Sequence, residues 1–115
     1  MKIFKSILVL AMVLCFISPA MAASQLYFTV VWDDNSGDAF ISDLYRESTS
    51  ADHNANYKRF VNVVKDGHAF YCSGCYSGGT IRGGSEWSAS DNVRDAAIEK
   101  FETKGYTVHQ ISWEP

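Results

Sequence analysis

The chain has no cluster of lysine or arginine anywhere along its length. A nucleic-acid or anionic-membrane partner calls for such clusters to neutralise phosphate, so neither is expected. Long apolar runs are missing too. The longest covers residues 7–17, which at ~1.5 Å per residue falls short of a ~30 Å hydrocarbon core. No retained membrane anchor is therefore expected. Internal repeats and low-complexity linkers are also lacking, which argues against an array or a second domain. The glycine-rich segment 78–84 lacks the Lys-Ser/Thr ending and the strand-to-helix setting of a phosphate loop. Cysteine is scarce, at three residues, and Cys15 lies inside the apolar run.

What is present begins with an export pattern. Lys2 and Lys5 precede the apolar run, and Ala20-Met21-Ala22 fits a small-x-small cleavage site. The expected organisation is a signal peptide at 1–22 and one small domain at 23–115. The expected location is the periplasm or outside the cell. Without Lys2 and Lys5 the chain carries eight Lys and Arg against 13 Asp and Glu, a formal charge of −5. That balance favours a basic protein partner. Two cysteines, Cys72 and Cys75, remain in an oxidising compartment and are most simply a disulfide.

Along the domain, residues 26–32 are rich in β-branched and aromatic side chains and read as a strand ended by the turn formers 33–37. Residues 38–47 read as a short helix with Ala39, Phe40, Ile41, Leu44 and Tyr45 on one face. Residues 48–56 read as a polar loop. Residues 59–65 and 68–73 read as a hairpin about a type I′ turn at Asp66-Gly67. Residues 76–89 read as an irregular glycine-rich loop. Ser90 is the expected N-cap of a helix with Val93, Ala96, Ala97 and Phe101 on its apolar stripe, and Gly105 its C′ residue. Residues 106–113 read as a last strand. The order β-α-β-β-α-β suggests a ferredoxin-like α+β sandwich, a four-stranded antiparallel sheet with both helices on one face.

That fold would leave one sheet face open, carrying Tyr27, Val31, Phe60 and Val64. Exposed apolar area of this kind marks a partner site or a self-association surface. A second binding surface is the loop 71–87, where Tyr71, Tyr76 and Trp87 flank glycines beside the disulfide. Aromatics supply contact area with few rotors to order. The leading expectation is a non-catalytic exported binding protein of inhibitor, immunity or adaptor type.

The chemistry-bearing residues leave alternatives open. Cys72-Ser-Gly-Cys75 has the spacing of a thiol–disulfide centre, but the following Tyr-Ser-Gly-Gly is a poor start for the helix that would activate a thiol. His68 and His109 could form a two-histidine, ribonuclease-like acid–base pair. Either pair would make the protein a small secreted enzyme. A third alternative is a self-associating structural or stress-related periplasmic domain. No cofactor and no metal is called for. A zinc set of His68, Cys72 and Cys75 with His109 or His53 fails if 68 and 72 share a strand, ~13 Å apart at ~3.3 Å per residue.

Overall fold

The computed structural model describes residues 24–115; the expected signal peptide lies outside the described residues. Seven elements follow in order: β1 (Ser24–Asp33), β2 (Asp38–Ser42), β3 (Tyr45–Ser48), α1 (His53–Lys65), β4 (Tyr76–Gly84), α2 (Trp87–Thr103) and β5 (Thr107–Ile111). The class is α+β. The sheet is mixed and five-stranded, in place of the four-stranded antiparallel sheet of a ferredoxin-like sandwich.

β1 is the organising strand. On one edge it pairs antiparallel with β4 over residues 26–33. Its other edge holds β2 against residues 30–33 and β3 against residues 24–27. The segment expected to be a helix at 38–47 is thus these two strands, placed end to end. The turn 34–37 closes a hairpin, with Gly37 at φ 73° donating its N–H to Asp33 O at 2.9 Å. Where β2 gives way to β3, the backbone ladder breaks opposite Thr29. There the Ser42 hydroxyl accepts the Thr29 N–H at 2.8 Å and donates to Asp43 O at 2.9 Å. A buried donor is so satisfied by a side chain. β5 then adds parallel to β2 as the outer strand.

The expected hairpin at 59–73 does not form: its first strand, 59–65, is the second half of α1, and 66–73 is turn and irregular chain. Asp52 caps α1 by accepting the Ala55 N–H at 3.0 Å. Tyr57, Phe60, Val61 and Val64 lie on one face at helical spacing. Asp66 is the helical C-cap, and neither it nor Gly67 has the positive φ that a type I′ turn requires. Tertiary burial of the Phe60–Val64 stripe overrides the local turn signal.

Side chains of β1 alternate between two faces. Val31 and its cross-strand neighbour Phe40 pack with Phe60, Val61 and Val64 of α1. On the other face Trp32 meets Phe101 of α2, with ring centroids 5.4 Å apart. The helices therefore cover opposite faces rather than one, and β1 is buried on both sides. This is why Leu26 through Val31 are all at most 5% exposed.

The expected loop 76–89 is β4 and the start of α2. Two of its glycines let it lie close to its neighbours. A Cβ on Gly78 would collide with Val30 O and come within 2.8 Å of Tyr57 Cε2, and one on Gly83 would lie 2.9 Å from Ser90 Cβ. Ser90 is buried in the first turn of α2, whose N-cap is Glu86, not Ser90. At the other end Gly105 has φ 93°. Gly105 N–H donates to Glu102 O, and Tyr106 N–H to Phe101 O, both at 3.0 Å. This is a Schellman motif, and the Phe101–Tyr106 ring contact is its hydrophobic partner.

Candidate functional site

The four residues expected on an open face are core. Tyr27, Val31, Phe60 and Val64 are at most 5% exposed. Two belong to β1 and two to α1, and they meet at the interface between sheet and helix. The face is closed because α1 occupies it.

The expected loop surface divides in two. Tyr76 opens β4 and Trp87 follows its end, with roughly 27 Å of strand between. Trp87 is half-exposed and carries the Arg46 guanidinium 5.9 Å from its ring centre. Tyr71 and Tyr76 stay near each other, flanking the disulfide.

The Cys72–Cys75 disulfide closes a turn in which Cys75 N–H donates to Cys72 O at 3.2 Å. Cys72 is exposed rather than directed at the core. A strand follows the pair, not a helix, so no helix N-terminus lowers a thiol pKa there. Tyr71 stands before it at 87% exposure. Behind the turn lies a cavity of about 230 Å³ bordered by Lys65, His68, Phe70, Cys72 and Tyr76. Phe70 and Tyr76 stack at 4.4 Å, and the Lys65 ammonium lies 5.5 Å from the Tyr76 ring centre.

The turn is tied to the sheet by a polar pair. His68 Nε2–H donates to Asp33 Oδ2 at 2.9 Å. Asp33 is the last residue of β1, and Asp38, its cross-strand partner, begins β2. Asp38 in turn accepts from His109 Nε2 at 2.8 Å. Both imidazoles pack on Phe40, each 4.9 Å from its ring centre. The structure thus brings His68 and His109 onto one aromatic ring and gives each a carboxylate.

These contacts set the ionisation of the acids. The His68 hydrogen bond holds the Asp33 carboxyl below its ordinary value, against the opposing effect of burial, with help from Asn35 and Ser36. Asp38 is lowered first by the His109 hydrogen bond and then by Ser36, with the charges of both histidines contributing. Both acids are therefore carboxylates at neutral pH and can only accept, so the facing Nε2–H of each imidazole is the donor.

The residues that sequence reasoning missed are Asp33, Asp38 and Phe40. Asp33 read as a turn former, Asp38 as the start of a helix and Phe40 as part of that helix's apolar face. Reading 38–42 as the return strand of a hairpin places all three together. Among the described residues no group of three His, Cys, Asp or Glu side chains is placed to hold a metal. No described helix is long and apolar enough to cross a membrane. No known protein family, curated protein or solved structure matches the chain.

Proposed function

We propose that this is a small exported binding protein of inhibitor, immunity or adaptor type, and that it engages a protein partner through the turn 69–75. The observation that carries the reading is Tyr71, 87% exposed on a turn closed by Cys72–Cys75. A large aromatic is normally withdrawn from water. One held outward on a cross-linked turn is ordered before a partner arrives, so binding costs little conformational entropy. Docking of His68 on Asp33 adds to that order. The acid surplus of the chain favours a basic partner. Export is supported by the leader pattern and by the disulfide, which persists in oxidising compartments.

Affinity capture from the native envelope or medium, with tagged residues 23–115 as bait, tests the reading. A partner should be retained by the wild type. Tyr71→Lys should lose it by at least about thirtyfold in Kd, the ~2 kcal/mol of a hot-spot residue. Circular dichroism should show the variant folded. Undiminished capture by folded Tyr71→Lys would remove the basis of the proposal.

A second reading is favoured by the histidine arrangement. Imidazoles oriented by carboxylates are suited to general acid–base work. On this reading His68 and His109 make the protein a small secreted enzyme of ribonuclease-like type. Its test is cleavage of a fluorogenic RNA, with a bell-shaped pH profile lost alike in His68→Ala and His109→Ala. Equal rates in both variants and the wild type exclude it.

A further inference from the structure

α2 is lightly embedded for a helix of 17 residues: Ser90 is its only buried residue. Between its last two turns and the sheet lies a groove of about 310 Å³. That volume is at the lower end of the ~300–1,000 Å³ usual for small-molecule sites. Protein interiors are close-packed, and a gap this size forfeits dispersion contacts all along its walls. Val30, Trp32, Phe101 and Tyr106 line it. The three rings form a continuous apolar wall, with Trp32–Phe101 centroids at 5.4 Å and Phe101–Tyr106 at 5.6 Å.

The helix side of the groove is chemically unlike a core. Ala97, Lys100, Phe101 and Lys104 follow the spacing i, i+3, i+4, i+7 that normally carries the buried stripe of a helix. All four line the groove, and two are lysines. Among the described residues neither lysine takes part in an ion pair. A basic residue in the last turn suits the negative end of the helix dipole. The dipole, however, does not select a side of the helix. Here both lysines border the apolar groove.

An apolar slot with two cations at its rim matches a molecule having an apolar chain and one anionic end. We propose that this groove binds a free straight-chain fatty acid anion, its alkyl chain along Trp32 and Phe101 and its carboxylate at Lys100 and Lys104. At the ~30 Å³ that a water-sized group occupies in a liquid, the volume suits about ten carbons. The site is independent of the Tyr71 turn.

Trp32 makes the proposal measurable. Titration with 10-bromodecanoate should quench tryptophan fluorescence saturably, and Trp32→Phe should abolish that component while leaving Trp87 and Trp113. Decanoate should compete; decanol and decyltrimethylammonium should compete far less well. Lys100→Gln combined with Lys104→Gln should weaken decanoate by at least about tenfold, as loss of a charge-assisted contact implies. Both lysines are exposed, so the fold should survive, and near-ultraviolet circular dichroism checks this. Ala97→Leu should block the groove sterically with the charges intact. The proposal is overturned by quenching that never saturates, by quenching that persists in Trp32→Phe, or by decanol competing as well as decanoate. Association with phosphatidylglycerol vesicles without binding of decanoate overturns it in favour of a membrane surface.

Discussion

His68 and Asp33, 35 residues apart in sequence, meet with Nε2 2.9 Å from Oδ2, and the acid is only 2% exposed. This one contact fastens the segment after α1 to the end of β1, and with it the disulfide turn. An ionised acid at such a site is tolerable only while its donors remain in place.

Acid sensitivity follows from the direction of the shifts. Asp33 and Asp38 both titrate below the ordinary carboxylate value in the folded protein. The stability they contribute is thus fully present above the unfolded value of about 3.9 and is lost as pH falls through the lower folded values. Thermal unfolding followed from pH 7 to pH 2 should show a steep decline confined to the region below about pH 4. Asp33→Asn should be destabilised at pH 7 by about 1–3 kcal/mol, since a charge-assisted bond is removed. Its acid decline should also be shallower. An acid limb that superimposes on the wild type would show that Asp33 is not a group responsible.

Gly78 should tolerate no side chain. A Cβ there would strike Val30 O and approach Val31 Cα at 2.9 Å, and both are backbone atoms of the central strand that cannot turn aside. Gly78→Ala should cost at least about 1–3 kcal/mol, the usual penalty of overpacking. At this size that lowers Tm by about 4–8 °C per kcal/mol. Gly79→Ala is the matched control, because nothing lies within 4 Å of its added Cβ. Urea midpoints of the two variants compare them directly. Equal midpoints would mean that β4 does not lie against β1 in this register.

The same glycines explain what the sequence hid. Four of them in nine residues read as a loop, since glycine weakens a strand by its backbone entropy. The purpose of two of them, Gly78 and Gly83, is visible only once Tyr57 and Ser90 press on β4 from opposite faces. α1 was obscured in a similar way. Val61, Val63 and Val64 have strand propensity and Asp66-Gly67 imitates a hairpin turn, while the capping Asp52 sits in a stretch that reads as loop. The segment 38–47 places apolar residues where a helix face or two short strands would equally want them. By contrast β1, the turn at Gly37 and the Gly105 end of α2 carry local signals and were legible. So was the pairing of Cys72 with Cys75, three residues apart. His68 and His109 could be named as residues capable of acid–base work. Their carboxylate partners, 35 and 71 residues away, leave no local trace.

The disulfide should matter more to the turn than to the fold. It spans a sequence separation of three, and closing so short a ring restricts the unfolded chain only modestly, by about 2 kcal/mol on the chain-entropy account. The core of Val31, Phe40, Phe60, Val61 and Val64 does not include it. Cys72→Ser combined with Cys75→Ser should therefore stay folded, with a loss of no more than about 2 kcal/mol by urea unfolding. The turn itself would still be held at one end by His68 on Asp33 and by the Phe70–Tyr76 stack. Between those anchors, amides 71–75 should exchange with solvent faster than in the wild type, while those of β1 and α1 keep their protection. If the turn is the partner-binding element, the double variant should also bind more weakly than the wild type, because ordering Tyr71 then falls to the binding step. Unfolding of the double variant under conditions where the wild type is stable would give the bridge a global role instead. Unchanged exchange at 71–75 would show that the turn holds its shape without it.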